Sequence, residues 1–233
     1  MIYIEHVGYS AAPRSVYRSK SMARPETDIA AMRSKIIAAA DQIIQEKGGI
    51  SFTMTDLATA VGMSPSNLYR FFESKDALAE AMAGEWFAEL LVIMEDLVSA
   101  DMPVEEKLYQ FFAKRVVVKR ARYEDDPELF ESYMELGDEH FEVIKGYVDL
   151  ADHYMASILA EAMEKGYFKG LELDTVLSLV NTMIQPFCNP KLMMQMMHLA
   201  TEERLRIVIN TILNGLRADD DKSFIKPELY VAS

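Results

Sequence analysis

Apolar residues recur at helical spacing through almost the whole chain, and no run of strict apolar/polar alternation marks a strand. Ile36, Ile37, Ala40, Ile43 and Ile44 form one stripe, which predicts a first helix near Asp28–Lys47 ended by Gly48-Gly49. Leu57, Ala58 and Val61 give a short second helix, and Gly62 follows it in the position where a left-handed cap is wanted. Leu68 and Phe72 lie one turn apart on a third. A long helix is predicted from Ser74 to about Val98, with Leu78, Met82, Trp86, Leu90, Ile93 and Leu97 on its inner face. Beyond the break at Asp101-Met102-Pro103 the pattern predicts helices at about 103–123, 127–165 (interrupted near Gly146), 172–188, 191–197 and 201–217. Pro127, Gly166, Gly170, Pro186 and Pro190 punctuate them. The fold class is all-α, with a small unit over 28–76, a larger helical domain over 77–217, and two flanks without helical periodicity, 1–27 and 218–233.

The segment from Thr53 to Lys75 is the most specific. Thr53-Met54-Thr55-Asp56 fits a capping box, in which the Thr53 hydroxyl takes the Asp56 N–H and the Asp56 carboxylate takes the Thr53 N–H. Ser64 is a good N-cap, and Pro65 suits the first helical position because its missing N–H would have no partner there. At about 100° per residue, Leu68 and Phe72 face inward while Ser66, Asn67 and Arg70 face roughly opposite, with Tyr69 and Phe71 on the flanks. An outward face carrying amide, hydroxyl and guanidinium groups suits a duplex: Asn pairs with adenine, Arg with guanine or phosphate, and Tyr69 with a phosphate at the groove edge. Lys75, at the start of the next helix, is a candidate phosphate clamp. A helical hairpin with a polar outer face is the alternative. Against it stand the absence of Asp or Glu from Ser64 to Phe72 and the short turn.

The run Thr53-x-x-Asp56-Leu57-Ala58-x-x-Val61-Gly62-Met63-Ser64-x-x-Asn67-Leu68-Tyr69-Arg70-Phe71-Phe72-x-Ser74-Lys75-Asp76-x-Leu78 resembles the N-terminal domain of the tetracycline-repressor (TetR) family. It departs in two places: Ser66 stands where Gly is common, and Phe71, which offers no hydrogen bond, stands where Tyr or His is common. The resemblance covers about the first third of the chain. It implies a three-helix helix-turn-helix DNA-binding domain, followed by a larger helical domain that binds a small-molecule effector and forms a homodimer. It places DNA contacts at Thr53, Ser64, Pro65, Ser66, Asn67, Tyr69, Arg70 and Lys75.

Net charge is −13, an awkward total for a DNA binder. Its distribution removes the difficulty: residues 1–76 carry nine Lys/Arg against eight Asp/Glu, and residues 77–233 carry fifteen against twenty-nine. The acid is segregated from the reading head, which should limit non-specific binding and make affinity sensitive to salt. Arg14, Arg18, Lys20 and Arg24 make the first 27 residues locally basic, either as an arm that reaches DNA or as a leader upstream of Met22. No stretch is long and uncharged enough to span a membrane. The single cysteine, Cys188, excludes an internal disulfide and fits a reducing cytoplasm.

In the larger domain Tyr109, Phe112, Tyr133, Phe141, Tyr154 and Met155 supply aromatic and thioether surface suited to an adaptable effector pocket, or to an ordinary core. Lys114, Arg115, Lys119, Arg120 and Arg122 form a basic cluster inside an acidic domain. It would hold a carboxylate or phosphate of an effector, or form a solvated face that neutralises the acids of 124–128. Stripes at Val176, Val180, Met183 and Phe187, and at Leu205, Ile209, Ile212 and Leu216, would pair with their copies in a four-helix homodimer interface, or pack within the monomer. No zinc spacing, nucleophile elbow or phosphate loop occurs, so neither metal nor cofactor is expected. The reading is a dimeric, ligand-responsive regulator of transcription, most simply a repressor, on a near-palindromic operator. The alternatives are a helical partner-binding protein and an α-helical enzyme that do not read DNA.

Overall fold

The computed structural model describes residues 29–218, and every element among them is an α-helix. The basic arm over 1–27 and the polar tail beyond 218 lie outside the described residues. Three helices build the head: α1 (Ile29–Lys47), α2 (Met54–Val61) and α3 (Pro65–Leu68). Their ends form for the local reasons read in the sequence. The Thr53–Asp56 capping box is complete, with Thr53 N donating to Asp56 Oδ2 at 2.9 Å and Asp56 N to Thr53 Oγ1 at 3.1 Å. Gly62 closes α2 at φ 77°, a left-handed conformation that costs glycine least. Ser64 accepts the Asn67 N–H at 3.3 Å.

The third helix is shorter than its periodicity predicts. After Leu68 the chain tightens: Arg70 N bonds to Asn67 O at 3.2 Å and Phe71 N to Leu68 O at 2.9 Å. These i→i+3 bonds turn the backbone faster than an α-helix, yet Leu68 and Phe72 both remain buried.

The long α4 (Lys75–Ser99) leaves the head and enters the body, which comprises α5 (Val104–Asp125), α6 (Pro127–Glu139), α7 (Phe141–Glu164), α8 (Leu173–Met183), α9 (Gln185–Cys188), α10 (Pro190–Gln195) and α11 (Glu202–Gly215). The interruption expected near Gly146 falls at His140 instead, where φ −116° and ψ 47° break the helix. Gly137 explains the position. A Cβ there would lie 3.3 Å from Ile144 Cγ1, so the missing side chain lets α7 fold back onto the end of α6. The helix expected over 172–188 also divides, into α8 and α9, as Ile184 leaves helical geometry just before Pro186.

Two cores result. The body core centres on α5, α7, α8 and α11. The head core contains Ile36, Leu57, Leu68, Phe72 and Met82, and also Tyr133 and Leu136 from α6. The head therefore completes its own core with residues lent by the body.

Candidate functional site

The tip of α3 exposes Pro65, Ser66, Tyr69 and Arg70, while Asn67 is half-buried on its flank. Tyr69 is 48% exposed, high for an aromatic ring, and neither it nor Arg70 has a side-chain partner among the described residues. Arg33 of α1 fixes the tip from behind. Its guanidinium lies 4.1 Å from the centre of the Phe72 ring and donates to Phe71 O. Thr53 and Ser64 are exposed, with their hydroxyls engaged at the helix caps. Lys75 turns inward: its ammonium donates to Ile50 O at 3.1 Å and lies 5.3 Å from the Phe52 ring. As a phosphate ligand it would reach outward from that anchorage with its remaining N–H groups.

A cavity of about 360 Å³ lies in the body between α4, α5, α6 and α7, closed on one side by α9. Phe112, Tyr133, Phe141 and Met155, four of the six sequence-predicted effector residues, line it. The other two do not. Tyr109 faces a second hollow beside α11, where its hydroxyl donates to Glu202 at 2.9 Å. Tyr154 packs against the body core, beside the His153 ring. Residues not singled out for the pocket complete its wall, above all Trp86, Phe87, Leu90 and Met94 of α4. Trp86 and Leu90 already lay on the predicted inner face of α4, whereas Phe87 and Met94 did not, and a stripe does not say whether it meets solid core or a void.

The basic cluster of α5 divides. Arg120 pairs with Glu124 at 2.7 Å on the outside. Arg122 lies on the cavity side, where it donates to Trp86 O and to Glu89, and Arg115 and Lys119, on the same stripe, line the cavity itself. Lys119 is buried, and its ammonium donates to Phe187 O at 3.0 Å and Cys188 O at 2.7 Å. Burial pulls its pKa down to about 8.

Wall and head meet at Tyr133. Its ring stacks on Trp86 at 4.5 Å, and its hydroxyl donates to Asp41 Oδ1 of α1 at 2.8 Å. Burial, then the Asp41 charge, raises the Tyr133 pKa far enough to keep the hydroxyl protonated, while burial also raises the Asp41 pKa from its ordinary value. Two further contacts join head to body. Gln45 donates to Asp126 at 2.5 Å, and His140 Nδ1 lies 3.2 Å from Asp76 Oδ1.

The stripes expected at the dimer interface are mostly internal. Val176, Val180, Phe187, Leu205, Ile209 and Ile212 are buried within the single chain and Leu216 is partly buried against the same core, so they cannot serve as the outer face of a subunit. Met183 is exposed. Helical periodicity marks a buried face without saying which chain buries it. Among the described residues no group of three or more His, Cys, Asp or Glu could hold a metal, and no helix is long and apolar enough to cross a membrane.

Comparison with known proteins agrees with the geometry. Residues 36–82 match the model described as bacterial regulatory proteins of the tetR family, and residues 104–209 match a tetracyclin repressor-like C-terminal domain. The chain is 25% identical over 196 residues to the uncharacterised HTH-type transcriptional regulator YvaF of Bacillus subtilis, a span of 82% of this chain and 98% of YvaF. It is 25% identical over 144 residues to the fatty acid metabolism regulator protein of the same organism, covering 60% of this chain and 72% of that one. In fold it resembles the transcriptional regulator FadR of Bacillus subtilis, solved in complex with stearoyl-CoA, at 21% identity and a TM-score of 0.51 over 80% of this chain and 99% of that one. Both halves of the chain thus match one family, whose members are regulators of transcription and not enzymes: this chain belongs to the TetR family of DNA-binding transcriptional regulators.

Proposed function

We propose that the chain acts as a homodimer that grips a near-palindromic operator with two α3 tips, most simply as a repressor, and releases it when a small molecule enters the cavity of the body. The observation that carries this reading is Tyr133, which is at once a wall of the cavity and a member of the head core. A ligand that displaces it disturbs the packing of the head directly.

Two-fold pairing is supported by the outer faces of α8 and α11. Thr175, Ser178, Leu179, Thr182 and Met183 are exposed and carry no charge, and Ile207, Asn210, Thr211 and Asn214 continue the pattern. A surface depleted of charge inside an acidic domain fits a subunit interface. This face keeps Met183 and replaces the buried members of the expected stripes with the residues between them. The cavity suits a mainly apolar effector, and the stearoyl-CoA complex of the Bacillus FadR is an example of a TetR-like fold holding an acyl chain.

The test is a fluorescence-anisotropy titration against the DNA flanking the protein's own gene, across a range of salt. Sequence-selective binding should weaken along a linear log–log salt dependence. Arg70→Ala and Tyr69→Phe should weaken it without unfolding the head. Binding equal on all sequences, or unaffected by both changes, would refute operator reading, and a monomer on the operator would refute the paired grip.

A further inference from the structure

The cavity has an unusual charge balance. Arg115 and Lys119 lie one turn apart on α5, on the same stripe as Phe112, and both line it. Neither has a carboxylate partner among the described residues. The acids that share the wall are otherwise engaged: Asp138 pairs with Lys191, and Asp152 accepts from Asn181 at 3.1 Å. Lys119 has only two backbone carbonyls, at the C-terminal end of the short α9. Arg115 has less. Its Nε is buried and has no hydrogen-bond partner among the described residues, and its guanidinium lies 5.0 Å from the centre of the Phe111 ring.

Burying Lys119 and part of the Arg115 guanidinium without a counter-charge is costly, and the unsatisfied Nε adds to the cost. Such an arrangement fits a site completed by an anion. Its position says how that anion arrives. Lys119, Phe112, Met94 and Met155 are almost fully buried, whereas Phe141 and Val148, on the opposite wall, are 61% and 50% exposed. Lys119 and the buried Nε of Arg115 therefore mark the deep end, and exposed apolar residues mark the mouth.

We infer that the effector is an amphipathic carboxylate that enters acid-first, its carboxylate received by Arg115 and Lys119 and its apolar body lying along Trp86, Leu90 and Phe112 toward the mouth. This rests on the proposed effector role of the cavity and narrows it to a free acid. An acyl thioester would bring a neutral chain end to the two cations and leave them unmatched.

Trp86 is the chain's single tryptophan and lies in the wall, so its fluorescence reports occupancy directly. The experiment titrates the full-length protein with decanoate and 4-phenylbutyrate, with their primary amides, and with decanoyl-CoA. At least one acid should bind roughly 30-fold or more tighter than its own amide, as two charge-assisted contacts imply. Arg115→Gln should weaken that acid by about tenfold or more and leave the amide within about threefold. Lys119→Met should act in the same direction. Because Lys119 also holds α9, Arg115→Gln carries the test if the Lys119 variant fails to fold. The inference is overturned if acid and amide bind alike, if Arg115→Gln weakens both equally, if decanoyl-CoA binds better than either acid, or if no acid binds. In each case the operator titration still decides the regulator reading independently.

Discussion

Removing the hydroxyl of Tyr133 should loosen the head from the body at one defined point. Tyr133→Phe keeps the ring, its stack on Trp86 and its place in the head core. What is lost is the 2.8 Å hydrogen bond to Asp41. A hydrogen bond to a charged group contributes about 1.5–3 kcal/mol, and the loss falls at the upper part of that range when the carboxylate is partly buried and left without its donor. For a chain of this size each kcal/mol moves the melting temperature by about 2–4 °C. Asp41→Asn is the complementary change. It keeps an acceptor oxygen and removes a carboxylate whose burial opposes ionisation, so it should cost less than Tyr133→Phe. The Asp41 pKa is raised in the folded state, so its contribution is full below the unfolded value and is lost as pH rises through the folded one. Above that window Asp41→Asn relieves a penalty. The assay is urea unfolding of the two single variants and the double variant at pH 7, all at one protein concentration. The cycle should return a coupling of about 1 kcal/mol or more between the two sites. A coupling under about 0.5 kcal/mol would lie within ordinary additivity and refute the contact as an energetic link.

Gly170→Ala should destabilise the chain by about 1–2 kcal/mol for its left-handed backbone alone, and by more because the new Cβ would meet Ala218 Cβ at 2.8 Å. Gly146→Ala, at an exposed helical position with nothing within 4 Å, should instead stabilise by about 0.5–1 kcal/mol in the same urea assay, and opposite results would contradict both assignments. Asn67→Ala should relax base preference at one operator position in a binding-site selection, and equal losses on all sequences would exclude base reading. Lys119, with its folded pKa depressed to about 8, favours the folded state above its unfolded pKa near 10.5 and loses that contribution as pH falls through 8. Unfolding free energy should therefore climb between about pH 8 and 10.5, and that component of the slope should vanish in Lys119→Met whatever the variant's overall stability.

The head was legible because its signals are local. Thr53, Asp56, Gly62, Ser64 and Pro65 act on neighbours within four residues, and each performs in the structure the capping or turning role that its chemistry suggests. The tight end of α3 was not legible, since no residue from Tyr69 to Phe71 forbids another α-helical turn. The body was legible as helices and not as a site. Phe112, Arg115 and Lys119 share a stripe that can be read from spacing, but the acids numbered 124–128 offered the cluster an equally good neutralising partner. Only the packing of α9 against α5 shows that Arg120 took that role while Lys119 turned inward. The two terminal stripes did not reveal an outer face for a related reason. Val180 and Ile209 are apolar because something covers them, and what covers them is the chain's own core.

The position of Tyr133 also bounds how strongly a ligand can act. An effector shifts the head only by the difference between its affinities for the two arrangements, and such couplings usually amount to about 1–3 kcal/mol. Breaking the Tyr133–Asp41 hydrogen bond, at about 1.5–3 kcal/mol, would change operator affinity by at most roughly 10- to 150-fold if all of that energy were coupled to DNA binding. One contact is thus large enough to carry the proposed response. The other ties are weaker candidates. The Gln45–Asp126 bond is exposed, and the Asp76 partner of His140 is largely in solvent, so water replaces either at little cost. In the proposed response Trp86 would transmit the pressure of a ligand. It stacks on Tyr133, shares the cavity wall with it, and offers its backbone carbonyl to Arg122. A ligand body seated against Trp86 would press on the one side chain whose far end holds the head, while Arg122 and the α4 backbone keep Trp86 from yielding. The pressure would then be relieved at the Tyr133 hydroxyl, where a modest displacement breaks a directional bond, more readily than in the apolar wall, where the same displacement would open a void.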